Sequence, residues 1–294
     1  MKQVTILSGK GGTGKTTITA SFSALSENSV FADCDVDASN LHLLLNPDVK
    51  EIIEFRGLNV AEINSEKCIQ CGRCVEVCRF NAITDYEVDP LHCEGCKVCV
   101  VNCPVEAIGF NPRVSGYAYI SETKYGPMSH ARLTPGMENS GKLVTLVRQN
   151  ATKIAEEHEK SLVLVDGSPG IGCPVIASIA NVDASIVVVE PTLSGIHDLK
   201  RALDLLAHFE IQPYVIVNKY DINEKNTADI EKYCNENEIF ILGKVPFDPT
   251  VTKAMVQGVP VVAYALESSA SKAIIGAWKQ FNSMFLEGPE VVFY

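Results

Sequence analysis

No apolar run in this 294-residue chain approaches the ~18–20 residues that span a bilayer, so no membrane insertion is expected. Basic residues are also scarce: 25 Lys and Arg stand against 36 Asp and Glu, a formal net charge of −11. A general nucleic-acid binder needs a basic face to displace counterions from phosphates, and the composition argues against that class. The N-terminus carries Lys2 but runs directly into an apolar stretch and a glycine-rich turn, without a secretory h-region. A cytoplasmic location is the expectation. Cysteine, in contrast, is abundant, with eleven residues. In a small secreted chain that count would mean disulfides; in a cytoplasmic chain of this length it reads as metal ligation. A hydrophobic content of 46% is enough for a sizeable core in one or two domains.

The most informative stretch is Ser8-Gly9-Lys10-Gly11-Gly12-Thr13-Gly14-Lys15-Thr16-Thr17. It follows the apolar run from Val4 to Leu7 and precedes a run of good helix formers, the strand–turn–helix context of a phosphate-binding loop. Glycines let the backbone curl so that several N–H groups from Gly11 to Thr17 face one anion, and the helix N-terminus adds its partial positive charge. Lys15 is positioned to reach the β- and γ-phosphates of ATP, and Thr16 to place a hydroxyl on Mg²⁺.

Buried strands recur along the rest of the chain. Val30 to Cys34 ends in Asp33-Cys34-Asp35-Val36-Asp37-Ala38-Ser39-Asn40, which puts carboxylates at the ligand end of a parallel strand. Asp37 and Ser39 read as capping residues for a helix over Leu41 to Leu45. Leu162 to Val165 ends in Asp166, the Walker B pattern that sets a carboxylate beside Mg²⁺. Further strands are expected at 184–190, 213–218 and 239–245, with helices between them. The alternation predicts an α/β fold with a doubly wound, mostly parallel sheet. Residues 114–144 read as one or two β-hairpins and a polar loop over Pro135 to Gly141, with His130, Arg132 and Lys142 taken as solvated surface. The closing helix from Ser268 is expected to pack Trp278 and Phe281 into the core.

Eight of the eleven cysteines fall between Cys68 and Cys103. They read Cys68-x2-Cys71-x2-Cys74-x3-Cys78 and Cys93-x2-Cys96-x2-Cys99-x3-Cys103-Pro104, the two-cluster run of bacterial ferredoxins. In such runs the fourth cysteine serves the other cluster, so one [4Fe–4S] cluster is expected on Cys68, Cys71, Cys74 and Cys103. The second is expected on Cys78, Cys93, Cys96 and Cys99. Zinc sites typically use paired CxxC units rather than runs of three followed by a fourth. Cys78 is followed by Arg79 where Cys103 has Pro104. The expected organisation is an α+β insert of the two-cluster ferredoxin type at residues 58–112, within a P-loop ATPase domain formed by 1–57 and 113–294. Of the other cysteines, Cys234 reads as buried filler and Cys173 follows the Walker B strand.

Lys10, directly after the first glycine, makes the loop a deviant Walker A (KGGxGKT), and the chain resembles the MinD, ParA, Mrp and nitrogenase iron protein group. That resemblance implies a nucleotide-dependent homodimer in which Lys10 touches the nucleotide of the other subunit. It implies a switch I in which Asp35 orients or activates the attacking water and Asp33 sits in the magnesium shell. Asn218 looks like the base-recognition position of such proteins, with Pro246 and Asp248 bordering the base. The expected activity is ATP hydrolysis coupled to electron transfer through the clusters to a redox partner. The alternative is an ATP-dependent carrier that delivers an Fe–S or heterometal cluster to a client protein. A positioning or partition ATPase would leave the cysteine insert without purpose.

Overall fold

The computed structural model describes residues 1–135 and 140–286. In chain order the elements are β1 (Lys2–Ser8), α1 (Lys15–Leu25), β2 (Ser29–Asp33), α2 (Leu41–Leu45), β3 (Asp48–Phe55), β4 (Leu58–Ile63), α3 (Arg73–Val77), β5 (Ile83–Thr84), β6 (Glu87–Val88), α4 (Val98–Val101) and β7 (Ile108–Arg113). There follow β8 (Gly116–Thr123), β9 (Gly126–Leu133), α5 (Ser140–Glu157), β10 (Leu162–Pro169), α6 (Cys173–Ile179), β11 (Ala184–Val189) and α7 (Leu193–His208). The last are β12 (Gln212–Asn218), α8 (Glu224–Glu236), β13 (Phe240–Val245), α9 (Pro249–Val256), α10 (Val261–Tyr264) and α11 (Ser269–Phe281).

Nine strands form one sheet in the order β13-β12-β11-β1-β10-β2-β9-β8-β3. The strands from β13 to β9 run parallel; β8 turns back antiparallel on β9, and β3 pairs antiparallel with β8 at the edge. The doubly wound, mostly parallel sheet expected from the sequence is present, and a hairpin lies within 114–144. The strand over Asp48 to Phe55 was not legible, because most of it is an exposed edge with no alternating apolar face. Part of the polar loop expected after Pro135, residues 136–139, lies outside the described residues.

Central strands are buried on both sides, so they lack the polar alternation of a half-exposed strand. Val4 and Ile6 of β1 and Leu162 and Leu164 of β10 face one layer, with Phe22 of α1 and Ile274 and Phe281 of α11. Trp278 packs there against Phe22, ring centroids 5.0 Å apart. The intervening residues face the opposite layer: Leu7 meets α6, α7 and α8, while Val163 and Val165 meet Leu143 and Val147 of α5. No helix among the described residues is long and apolar enough to cross a membrane.

The cysteine-rich stretch stands on a ribbon. β4 and β7 pair antiparallel from Leu58↔Arg113 at the root to Ile63↔Ile108 at the tip. Its small core consists of Ala61, Cys74, Ile83, Cys99 and Ile108, separate from the clusters that flank the main sheet.

Candidate nucleotide and cysteine sites

β1 delivers the glycine loop, and α1 starts at Lys15, directly behind Gly14. Gly12 and Gly14 take φ of 84° and 91°, the left-handed region in which a side chain is strained. Gly14 has a second constraint, since a Cβ there would lie 2.2 Å from Asn218 Nδ2. Added Cβ atoms at Gly11 and Gly12 would meet nothing within 4 Å, so that side of the loop is open. Thr13 is 2% exposed and its Oγ1 has no partner among the described residues. A buried hydroxyl left unpaired beside an open, N–H-lined loop fits a phosphate ligand.

The strand order brings three carboxylates to Lys15. β10 lies between β1 and β2, with Asp166 opposite Ile6 on one side and Asp33 on the other. Lys15 Nζ is 2.9 Å from Asp166 Oδ1 and 3.8 Å from Asp35 Oδ2. Thr16 Oγ1 donates to Asp166 Oδ2 and Thr19 Oγ1 to Asp166 Oδ1, both at 2.7 Å. Asp33 accepts from Ser39 Oγ at 2.6 Å and from the backbone N–H groups of Asp35 and Leu41. Burial first, then the charge of Asp166, pushes the Asp33 carboxyl up, against the opposing pull of Ser39 and Lys15. Burial also raises Asp35, offset by Lys15, and the carboxylates outweigh the burial cost for Lys15, whose pKa is raised. Thr16, Asp33 and Asp166 are thus gathered as a hard oxygen set that suits Mg²⁺.

The other expected residues are spread around this centre. Lys10 Nζ donates to Ser194 Oγ at 2.9 Å and Thr192 Oγ1 at 3.3 Å, tying it to the start of α7. Asn218 Nδ2 donates to Thr13 O at 2.8 Å, so this residue braces the loop from behind. Asp248 caps α9 through Thr250 N–H and also accepts from Ser269 and Ala270 at the start of α11. Both of its oxygens are engaged within the protein, next to the Pro246–Phe247 turn. Thr17 begins the exposed side of α1, its hydroxyl 3.9 Å from Met255 Sδ.

Two readings need correction. Ser39 does not cap α2; the N-cap is Asn40, and the Ser39 hydroxyl serves Asp33 instead. His130 is not solvated: it is 8% exposed, sandwiched between His42 and Tyr119 with centroids 6.1 and 5.0 Å away. Pairing of β9 with β2 carries it inward, opposite Asp33. The supporting hydroxyl of Thr19 was missed altogether; its position on the α1 face turned toward β10 is the signal that would have found it.

The eight clustered cysteines separate into two groups. Cys78, Cys93, Cys96 and Cys99 line a partly open cavity with Ala61 and Phe110. Cys68, Cys71, Cys74 and Cys103 line another with Ile63 and Ile108. All eight are free thiols, and among the described residues no three His, Cys, Asp or Glu side chains converge to hold a single metal ion. The two halves repeat at an interval of 25 residues in conformation as well as spacing. Left-handed residues recur as Gln70 and Gly95, Gly72 and Lys97, and Asn81 and Glu106. Ala82 N–H donates to Cys78 Sγ at 3.4 Å, and Ala107 N–H to Cys103 Sγ at 3.2 Å. Cys173 is exposed at the start of α6, and Cys34 and Cys234 are buried.

Comparison with known proteins agrees with the nucleotide-site geometry. The CobQ/CobB/MinD/ParA nucleotide binding domain family matches residues 4–261. An uncharacterized protein of Methanocaldococcus jannaschii is 35% identical over 254 residues, 85% of this chain and 86% of that protein. An iron-sulfur cluster carrier protein of Pyrococcus furiosus is 28% identical over 132 residues, 40% of this chain and 43% of the carrier. The septum site-determining protein MinD of Pyrococcus horikoshii, complexed with Mg-ADP, shares the fold at a TM-score of 0.60 and 18% identity, covering 96% of each chain. With a glycine loop, an open phosphate cradle and carboxylates on adjacent parallel strands, the chain belongs to the CobQ/CobB/MinD/ParA family of nucleotide-binding domains.

Proposed function

We propose that the chain is an ATP-hydrolysing iron–sulfur protein that couples nucleotide-driven closure of a homodimer to electron transfer through two [4Fe–4S] clusters. The observation that carries this reading is the sorting of eight cysteines into two cavities, each holding three from one run and the fourth from the other. Thiol donors, largely apolar walls and backbone N–H groups aimed at sulfur suit such clusters, which are held by cysteine thiolates. When bound, each would supply a one-electron site; the chain's residues would hold it, limit its contact with water and donate hydrogen bonds that tune it.

On the nucleotide side, Lys15 and the loop N–H groups would bind the phosphates, with Thr16, Asp33 and Asp166 around Mg²⁺. Asp35 would orient the water whose oxygen bonds to the γ-phosphorus as the bond to the β-phosphate oxygen breaks, and would take the water's proton. Lys10 would leave Ser194 to reach the nucleotide of a second copy. Residues 58–112 would then be a ferredoxin-type module whose electrons come from a one-electron donor protein. The test is a redox titration of the anaerobically prepared protein without nucleotide, with ADP and with trapped ATP. A coupling of ~1–3 kcal/mol corresponds to a shift of roughly 40–130 mV. Identical potentials in all three states would argue against the coupling.

A second reading, cluster delivery to a client, is favoured by the partial similarity to the iron-sulfur cluster carrier. The two separate on iron retention: an electron carrier keeps its iron through ATP turnover, whereas a delivery factor loses it to an apo-acceptor.

A further inference from the structure

The two cysteine cavities are not equivalent with respect to the nucleotide site. The ribbon fixes their order. Ala61 and Phe110, a cross-strand pair, line the cavity of Cys78, Cys93, Cys96 and Cys99. Ile63 and Ile108, the tip pair, line the cavity of Cys68, Cys71, Cys74 and Cys103. The first cavity is therefore nearer the root by two residues, roughly 7 Å along an antiparallel strand.

Its loop is also fastened to the root. Gly95, at φ 63°, lies so close to β4 that a Cβ would stand 2.4 Å from Asn59 O. The Arg113 guanidinium, at the last residue of β7, donates to Pro90 O, and Lys97 Nζ sits 4.7 Å over the Phe110 ring. The equivalent position in the outer half, Gln70, is held instead by the Tyr86 hydroxyl from within the insert, at 2.9 Å.

The root in turn is hydrogen-bonded to the segment that carries Asp35. Leu133 N–H donates to Val36 O at 3.4 Å, Thr134 N–H to Ser115 O at 2.9 Å, and Ser115 N–H to Phe55 O at 2.7 Å. Ser115 Oγ adds a contact to Arg113 O at 3.3 Å. Val36 and Phe55 share one buried cluster, with Leu133 packed against it. At Gly116 the strands approach so closely that a Cβ would lie 2.7 Å from Arg132 O. The seam is short, with Val36, Ser115 and Phe55 buried, and it starts one residue from Asp35, whose carboxylate lies 3.8 Å from Lys15 Nζ.

We infer that nucleotide state acts selectively on the root-side quartet, Cys78, Cys93, Cys96 and Cys99, through the Val36–Leu133–Ser115–Phe55 seam. The outer quartet is left to exchange electrons with an external one-electron protein. This rests on the proposed coupling and assigns its path. Phosphate contacts that draw Lys15 from Asp35 free the Asp35–Val36 segment to move. Among the described residues, the backbone hydrogen bonds that run from this segment toward the insert end at Phe55, with Ser115 Oγ reaching Arg113 O. Packed seams shift between discrete arrangements rather than deforming gradually, so such a movement reaches the first loop fastened to the root.

The test is hydrogen exchange on the full-length holoprotein, with and without non-hydrolysable ATP, joined to redox titration resolved for the two clusters by electron paramagnetic resonance. Exchange at residues 89–98 is expected to change at least threefold on ATP addition, with residues 66–74 unchanged, and only one cluster's potential is expected to move. Leu133→Pro, which removes the N–H to Val36 O, should abolish both effects while the loop at residues 9–17 stays ATP-protected. Gly116→Ala, a gentler wedge in the same seam, should weaken them if the proline variant does not fold. Equal responses in both quartets, or a response that survives both substitutions, would overturn the assignment. Loss of any ATP effect on either cluster would instead overturn the coupling on which it rests.

Discussion

Lys15 Nζ and Asp166 Oδ1 stand 2.9 Å apart in a pocket where Lys15 is 5% exposed and Asp166 fully buried. The lysine that should hold the phosphates is paired with the carboxylate that should hold magnesium, and Thr16 and Thr19 complete that carboxylate's hydrogen bonds. On the proposed reading, nucleotide binding would replace this pair with phosphate and metal. Lys15 offsets part of the repulsion among Asp33, Asp35 and Asp166, and burial together with the charge of Asp166 raises the pKa of Asp33.

Asp166→Asn should therefore weaken both states. Removing one member of a buried ion pair costs most when the other charge is left alone. Here Asp35, 3.8 Å from Lys15, still compensates it, so the cost should be that of poorly satisfied buried hydrogen bonds, about 1–3 kcal/mol. Urea unfolding without nucleotide should show a loss of that order, and calorimetry should show nucleotide binding that no longer responds to Mg²⁺. Unchanged Mg²⁺ dependence would mean that Asp166 is not part of the metal shell.

Lys10→Ala separates binding from turnover. Its ammonium is tied to Ser194 and Thr192, outside the loop interior, so ATP affinity should change by less than about threefold. Hydrolysis and ATP-dependent dimerisation, followed by phosphate release and sedimentation, should be lost. Lys15→Ala, in contrast, should lose binding itself. Wild-type turnover in the Lys10 variant would remove the cross-subunit role.

The cysteine quartets should lose their metal independently. Protein prepared without oxygen should hold about eight iron and eight sulfide, and Cys78→Ala or Cys103→Ala about four of each. The spectrum lost should differ between the two variants, since Cys78 and Cys103 lie in different cavities. Zinc in place of iron, or one spectrum lost in both variants, would break the assignment.

His130 makes stability depend on pH. Burial, aided by the nearby His42, lowers its pKa to about 4. The unfolded imidazole, at its ordinary 6.5, takes up a proton first as pH falls. The stabilising effect of keeping it neutral is thus complete above about 6.5 and is lost as pH falls toward about 4. His130→Phe keeps a ring between His42 and Tyr119 but cannot titrate. Between about pH 7.5 and about pH 4.5 it should lose less stability than the parent chain, by on the order of 2 kcal/mol, as read from urea midpoints. Parallel pH curves would place the acid sensitivity elsewhere.

The local features were legible because each depends on residues close in sequence. The glycine loop needs small residues at defined spacings and a helix behind them; the cysteine runs need sulfur at intervals of three. Strand-end carboxylates were legible for a related reason, since a run buried on both faces contains few polar residues and an aspartate that ends it stands out. The supports were not. Ser39 looked like a cap because its neighbours in sequence suggested one, yet it turns to Asp33. His130 looked like surface because it is a polar residue with no chemistry assigned to it, yet pairing with β2 buries it.

The chain by itself determined the chemistry on offer: a phosphate loop with an extra lysine, hard oxygen ligands at strand ends, and two sets of thiols. Those follow from residue type and local spacing, which tertiary contacts cannot alter. Only the tertiary structure decided which groups meet. β10 enters between β1 and β2 and brings Asp166 to Lys15 across 151 residues of sequence. The β4–β7 ribbon sets one cysteine quartet nearer the root, and the pairing of β9 with β2 brings the root against the Asp35 segment. Strand order and register arise from burial summed over the whole sheet, so no local stretch of sequence encodes them.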